Sequence, residues 1–143
     1  MNSTKQIRVP LFDLRVLDPS LRAELMEAFT RVLDHGRLFG GGPELDEFEE
    51  IIAAEIGMRY AVGVGSGSSA LYMALKACDI GPGDEVIMPT FTIISCASAV
   101  IKAGATPVLV DCNPDNWNLA VDQIECLITP CTVAIMAVHT YGL

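Results

Sequence analysis

Apolar and polar residues follow a helical rhythm in the first part of the chain. Apolar side chains recur every three or four positions over residues 21–32 and again over residues 45–52, which predicts two amphipathic helices. Asp18-Pro19 supplies an N-cap and a first-turn proline for the first helix, and Gly36 is a good end for it. Gly40–Pro43 predicts a flexible hinge into the second helix.

Farther along, short apolar segments alternate with helical ones. Buried strands are predicted at four places, Tyr60–Val64, Glu85–Met88, Pro107–Asp111 and Val133–Val138. Helices are predicted over residues 68–78, from Pro89 to Gly104 and over residues 121–128. Strands that are apolar on both faces and alternate with helices are typical of a parallel sheet covered on both sides. The sequence therefore predicts an α/β fold, with an irregular segment over residues 1–17 before one domain over residues 18–143.

The loops that follow these strands are the candidate ligand site. Right-handed crossovers place the carboxyl ends of all the strands at one edge of the sheet, where ligands of such sheets bind. The four loops at this edge are residues 65–68, 89–93, 111–117 and 139–142. Asp111 and His139 each end a strand there, but Asp111 is equally compatible with a loop cap and His139 with a hydrogen-bonded structural histidine.

The Gly65–Ser69 loop, between a strand and a helix, is a candidate phosphate site. Glycines let the backbone approach a ligand, and the free N–H groups of a helix's first turn attract an anion. Ser68 and Ser69 add hydroxyl donors, although a serine-capped helix without a ligand is the alternative. A P-loop is a weak alternative because no lysine is near this loop. A dinucleotide motif is incomplete, since Gly63–Ser68 lacks the third glycine and Met88-Pro89 ends the next strand without an acid.

Composition and charge limit the classes of partner that the chain can bind. The chain has 143 residues, 51% of them hydrophobic, and a formal net charge of −9. A globular protein this acidic has no general attraction for nucleic acid or anionic membranes. No apolar stretch approaches the roughly 18 residues of a membrane span and no secretory signal is present, so we expect a cytoplasmic protein. We expect buried, reduced thiols, with metal or redox roles as the alternative, for Cys78, Cys96, Cys112, Cys126 and Cys131.

Five segments share their order and spacing with the motifs of one enzyme family. Ser66–Leu71 is similar to a phosphate loop of the form S-G-T-x-A-L, and Gly81–Thr92 to G-P-G-D-E-V-I-x-P-x-F-T. Gly104–Asp111 is similar to G-A-x-P-V-x-V-D, and Val138–Gly142 to V-H-L-Y-G. Together they resemble the DegT-type (DegT/DnrJ/StrS) sugar aminotransferases, which use pyridoxal 5'-phosphate (PLP). Asn116–Leu119 is closest to the perosamine-synthase-like members.

The resemblance implies a fold and an activity. The fold is part of the large domain of a fold-type-I PLP aminotransferase, a mostly parallel sheet with helices on both faces. The reaction, in a homodimer, moves an amino group, usually from glutamate, to a keto group of a nucleotide-linked sugar, with PLP as the electron sink. By position Gly67, Ser68 and Ser69 would hold the phosphate, and Ile93 stands where many members place an aromatic ring against the cofactor. His139 is the candidate substrate-binding residue.

The family's catalytic residues are not matched in this sequence. The lysine that forms the Schiff base with PLP, and the aspartate that contacts its pyridine nitrogen, come later in the family than V-H-L-Y-G. Lys5, Lys76 and Lys102 match no lysine motif, and we expect the last two to be solvated helix residues. The sequence thus predicts an N-terminal part truncated before this lysine, without a catalytic residue of its own and with weak PLP binding.

Two other functions remain open at this point. One is a non-catalytic or split-enzyme fragment that acts only by binding or association, and the other is an unrelated doubly wound nucleotide-binding domain. The apolar segment Val133–Val138 comes last in the chain as given and has no helix after it to cover its face. We therefore expect the chain to self-associate or to bind a complementary C-terminal fragment.

Overall fold

The computed structural model of the protein describes residues 13–142. The chain forms two compact units that divide after Gly63. Residues 13–17 carry neither helix nor strand, and the rest of the irregular segment predicted for residues 1–17 lies outside the described residues. Across residues 13–142 no helix is both long and apolar enough to cross a bilayer. The cytoplasmic location and the single domain over residues 18–143 stay predictions.

The first unit contains two helices, α1 (Pro19–His35) and α2 (Pro43–Glu55). Asp18 caps α1, because its carboxylate accepts a hydrogen bond from the backbone N–H of Leu21 at 2.8 Å. Gly36 adopts the left-handed conformation, with φ of 68°, and ends the helix. Both boundaries of α1 predicted from the sequence are confirmed.

A histidine joins the end of α1 to the start of α2. His35 Nδ1 accepts a hydrogen bond from the backbone N–H of Arg37 at 3.0 Å, so Nε2 is the nitrogen that donates to Glu44 Oε2 at 2.9 Å. This hydrogen bond from His35 is the largest cause that lowers the pKa of the Glu44 carboxyl. Because that pKa is lowered, the stabilising contribution of Glu44 is present above the ordinary glutamate pKa. It is lost as the pH falls through the lowered value.

A parallel sheet of three strands organises the second unit. The strands are β1 (Glu85–Pro89), β2 (Thr106–Val110) and β3 (Thr132–Ile135), and their order is β2-β1-β3. β1 lies in the centre and pairs in parallel with both neighbours. The second unit also contains α3 (Gly67–Ala77) and α4 (Ile94–Ala103), and α4 connects β1 to β2.

Apolar side chains cover β1 on both faces. On one face Val86 and Met88 belong to a buried cluster with Val100 and other apolar residues of α3 and α4. On the other face Ile87 packs with Val110 and with apolar residues of the segment between β2 and β3. Successive side chains of a strand point to opposite faces, which is why neighbouring β1 residues join different clusters. The predicted α/β fold, with a parallel sheet covered on both sides, is confirmed.

The prediction of a strand over Tyr60–Val64 is wrong. No strand within residues 13–142 pairs with this segment, and the side chains of Tyr60 and Val62 are 71% and 80% exposed. An apolar pattern gives a strand only where a neighbouring strand supplies hydrogen-bond partners. Here the backbone N–H of Gly63 donates instead to the Glu49 carboxylate at 2.6 Å.

The segment predicted as a helix over residues 121–128 forms two 3₁₀ turns, Val121–Gln123 and Glu125–Leu127. Short 3₁₀ turns are common connectors, and here the turns bring Ile124 and Leu127 onto the sheet. β3 also stops before the predicted Val138, because the segment's last backbone hydrogen bond to β1 is made by Met136 N–H, just beyond β3.

The cysteines differ in exposure, so the expectation of buried thiols is wrong for three of them. Cys96 is buried in the cluster beneath α4 and Cys112 is half-buried. Three thiols are exposed: Cys78 caps the end of α3, Cys126 lies in the second 3₁₀ turn, and Cys131 lies in the turn directly before β3. Within the described residues no group of three or more His, Cys, Asp or Glu side chains could hold a metal ion.

The burial of β1 predicts that substitutions at two isoleucines differ in their effect on stability. Ile87 is 0% exposed on β1, whereas Ile101 is 62% exposed on α4. We expect Ile87→Ala to lower the free energy of unfolding by about 2–5 kcal/mol, because it leaves a cavity in the core. The control Ile101→Ala should change it by less than about 0.5 kcal/mol. Urea denaturation of both variants measures the difference, and equal losses would contradict the central position of β1.

Candidate functional site

Serine capping shapes the loop in front of α3. Ser66 Oγ accepts a hydrogen bond from the Ser69 N–H at 3.1 Å, and the Ser66 carbonyl accepts one from the Ala70 N–H at 3.0 Å. The first N–H groups of a helix have no intrahelical acceptor. Among the described residues nothing accepts from the N–H groups of Gly67 or Ser68. These two donors, at the positive end of the helix dipole, are available to an anion.

The space in front of this loop is open. A Cβ atom built on Gly65 or Gly67 would meet no atom within 4 Å, and neither glycine has a positive φ. Backbone conformation therefore does not require glycine at either position. What the glycines provide is unobstructed access to the backbone N–H groups, which is the property that a phosphate cradle needs.

A hydroxyl pair connects the loop to α4. The Ser68 hydroxyl donates to Ser95 Oγ at 2.8 Å, across 27 positions of sequence. Ser68 lies in the first turn of α3 and Ser95 in the first turn of α4, so the N-termini of the two helices lie next to each other. Sequence reasoning missed Ser95, and the available signal was a second serine in the first turn of a helix at the predicted ligand edge.

A cavity of about 230 Å³ lies along the same pair of helices. Serine side chains and one lysine dominate its lining, which consists of Ser68, Ser69, Tyr72, Ser95, Ser98, Ala99 and Lys102. The Lys102 ammonium lies 4.6 Å from the centroid of the Tyr72 ring, a cation–π contact. Lys102 is exposed, as expected of a solvated helix residue, but its place on the cavity adds a positive charge to the hydroxyl donors.

Lys76 has a different role. Its ammonium donates to the backbone carbonyl of Ile80 at 3.2 Å, just after the end of α3. A cation that binds a carbonyl at a helix C-terminus stabilises the helix end. This contact is a structural role for Lys76. Among the described lysines, only Lys102 lines the cavity of about 230 Å³.

Ile93 lies directly before α4, two positions from Ser95, and its side chain is exposed. A second cavity of about 300 Å³ is lined there by Phe91, Thr92, Ile93, Val138, Thr140 and Tyr141. The structure thus brings Ile93 and the serine loop to the same end of α4. Isoleucine offers an apolar surface at this point but no aromatic ring.

His139 follows β3 and is exposed, immediately before the 3₁₀ turn Thr140–Gly142. Its backbone carbonyl accepts a hydrogen bond from the Gly142 N–H at 3.2 Å. The two residues beside it, Val138 and Thr140, line the apolar cavity, but His139 itself does not. Its role in substrate binding stays a prediction.

The loops that follow the three strands contact one another. The Phe91 ring lies against the Trp117 ring, with centroids 5.2 Å apart, and Asn118 Oδ1 accepts a hydrogen bond from the Thr140 N–H at 2.8 Å. The Asp111 carboxylate accepts from the next backbone N–H at 2.7 Å, which is the behaviour of a loop cap. Sequence reasoning noted the segment with Trp117 and Asn118 only through the resemblance and did not anticipate either contact.

These features occur in a chain that matches the DegT/DnrJ/EryC1/StrS aminotransferase family over residues 19–143. The chain belongs to this family. The family predicted from the sequence motifs is therefore confirmed.

Similar curated proteins are sugar transaminases with different nucleotides in their names. The chain is 48% identical to the dTDP-3-amino-3,4,6-trideoxy-alpha-D-glucose transaminase of Streptomyces venezuelae, over 94% of its own length and 35% of the relative's. It is 42% identical to the GDP-perosamine synthase of Caulobacter vibrioides, over 90% and 35% of the two lengths. The UDP-N-acetyl-3-dehydro-alpha-D-glucosamine 3-aminotransferase of Acidithiobacillus ferrooxidans is also 42% identical, over 98% of the chain and 38% of the relative. The chain thus spans little more than a third of these relatives.

Solved structures agree with this assignment. The S. venezuelae enzyme DesV, in complex with a ketimine intermediate, matches 94% of the chain and 36% of its own chain, with a TM-score of 0.87 and 48% identity. NtdA from Bacillus subtilis with bound cofactor PMP matches 99% of the chain and 33% of its own chain, with a TM-score of 0.88 and 34% identity. The described fold is therefore a part of a PLP aminotransferase fold.

Proposed function

We propose that the chain is the N-terminal part of a PLP-dependent aminotransferase that transfers an amino group, from glutamate, to a keto group of a nucleotide-linked sugar. The observation that carries this proposal is the serine loop at the N-terminus of α3, with two N–H groups available to an anion and Ser95 bound to Ser68. Membership of the family supports it. The relatives named for UDP-, dTDP- and GDP-linked sugars support the class of substrate.

The donor set of the loop fits the phosphate of the cofactor. The N–H groups of Gly67 and Ser68 and the hydroxyls of Ser68 and Ser69 would hold the phosphate, with the Ser68 hydroxyl turning from Ser95 to the ligand. Ile93 would contact the face of the ring. Lys102 would add positive charge, which matters because the chain as a whole carries −9 and repels anions. When bound, PLP supplies the electron sink for transamination, and the chain's own residues bind and orient it. His139 remains our candidate for substrate contact.

Association with a further polypeptide belongs to the same proposal. α1 has no buried residue, and Leu25, Phe29 and Leu33 on it are about half exposed. β3 is an edge strand of the described sheet and leaves Val133 and Ile135 half exposed. Apolar surface and an open strand edge of this kind favour contact with another chain. The partner that we propose is a second copy of this chain, as in a homodimer, or a complementary C-terminal fragment.

This apolar surface also favours the second candidate function, a fragment that acts only through association. We expect the purified chain to elute as a dimer or larger species in size-exclusion chromatography with light scattering. Dilution should shift it toward smaller species, because a reversible association follows mass action. A single monomer peak with a cooperative melt, at concentrations of tens of micromolar, would contradict the proposed association.

The phosphate contact is tested by titration of PLP into the wild type and the Ser68→Ala, Ser69→Ala double variant. Each hydroxyl hydrogen bond contributes about 1 kcal/mol net, so we expect PLP to bind the double variant roughly thirtyfold more weakly. Ser20→Ala is the matched control, since Ser20 lies in the first turn of α1 and is exposed.

Pyridoxal, which lacks the phosphate, isolates the contact further. Its affinity should be equal for the wild type and the double variant, because the two serines act on the phosphate alone. Equal PLP affinities of the wild type and the double variant would show that the loop is not the phosphate site.

A further inference from the structure

Two aromatic rings at the ligand edge of the sheet are only half buried. Phe91 follows β1 and Trp117 follows the neighbouring strand β2, and their ring centroids lie 5.2 Å apart at an interplanar angle of 49°. Phe91 is 42% exposed and Trp117 is 47% exposed. Ring pairs that stabilise a core bury most of their area. This pair keeps a large part of both rings in solvent.

The backbone at Trp117 is held in a conformation that bulky residues rarely adopt. Its φ of 62° lies in the left-handed region, which disfavours a large side chain. Hydrogen bonds on both sides impose it, from the Trp117 N–H to the Asn113 carbonyl at 2.8 Å and from the Asn113 N–H to the Asn118 carbonyl at 2.7 Å. The loop thus presents an indole at the surface where glycine would relieve the strain, and strain of this kind concentrates at functional sites.

Phe91 connects this pair to the rest of the candidate site. It also lines the apolar cavity that Ile93 and Tyr141 share. The Asn118 side chain, next to Trp117, accepts the hydrogen bond from Thr140 that joins this loop to the one after β3. The aromatic pair therefore lies beside the position that we propose for the cofactor ring, on the side of the loops that follow β2 and β3.

We propose that the exposed faces of Phe91 and Trp117 stack against the base of the nucleotide-linked substrate. This inference rests on the proposed function and names the residues that would bind the nucleotide. Aromatic side chains bind bases through their π faces with little dependence on which base is present. The relatives are named for uridine, thymidine and guanosine diphosphate sugars, and a stacking platform suits such a range better than a pattern of hydrogen bonds to base edges would.

The sequence supplies its own probe, because Trp117 is the only tryptophan in the chain. We expect UDP, dTDP and GDP each to quench its fluorescence in a saturable way in the wild-type chain without added PLP. Inorganic pyrophosphate, which has no base, should leave the emission unchanged. Phe91→Leu should weaken the binding of all three nucleotides by about 5- to 100-fold. Phe39→Leu, which alters a phenylalanine that is almost fully exposed, is the matched control.

A second variant separates ligand binding from a structural role. Trp117→Gly fits the observed φ, so circular dichroism and urea denaturation should show a fold as stable as the wild type. Calorimetric titration should show that it has lost most of its nucleotide affinity. If the tryptophan were there for packing, this variant would lose stability instead.

Three results would overturn the inference, namely an indole emission that no nucleotide changes, equal quenching by pyrophosphate, or unchanged nucleotide affinity in Phe91→Leu and Trp117→Gly. PLP binding by the wild type is measured separately. PLP binding without nucleotide binding would overturn the stacking platform and leave the proposed function standing. Nucleotide binding without PLP binding would overturn the proposed function and leave the stacking platform standing.

Discussion

Burial of β1 on both faces is the constraint on which the second unit depends. Val86 and Met88 face the helices α3 and α4, and Ile87 faces the 3₁₀ segment, so no side of this strand can meet water. A strand buried in this way must pair on both edges, and the parallel pairing with β2 and β3 satisfies its backbone groups. The hydrophobic effect thus fixes the position of the strand ends before any ligand is considered.

Parallel pairing then gives the site its chemistry. It requires crossover connections, which here are α4 and the segment with the two 3₁₀ turns, and it places the carboxyl ends of all three strands at one edge. The loops after the strands meet at this edge. α4 starts at this edge, and the hydrogen bond between Ser68 and Ser95 brings the N-terminus of α3 to it as well. In an acidic chain, two adjacent helix N-termini form a local region that can attract an anion, and Lys102 lines the same cavity from the last turn of α4.

Local signals in the sequence predicted the features that local physics controls. Asp18 and Gly36 bound α1 because a cap depends on neighbours within four positions. Tyr60–Val64 has the pattern of a strand, but a strand depends on a partner that the pattern cannot reveal. The pairing of Ser68 with Ser95, and of Phe91 with Trp117, joins distant positions through the packing of helices and loops. The serine loop was therefore predictable and its surroundings were not.

The central claim is that the first turn of α3 receives the phosphate of a cofactor. The most direct measurement is a ¹H–¹⁵N NMR titration of the labelled chain with PLP, which follows each backbone amide. The account predicts that the largest shifts occur at Gly67, Ser68 and Ser69, followed by Ser95 and Ile93 at the start of α4. Shifts that map elsewhere, such as to α2, or no saturable shift in the loop, would contradict it.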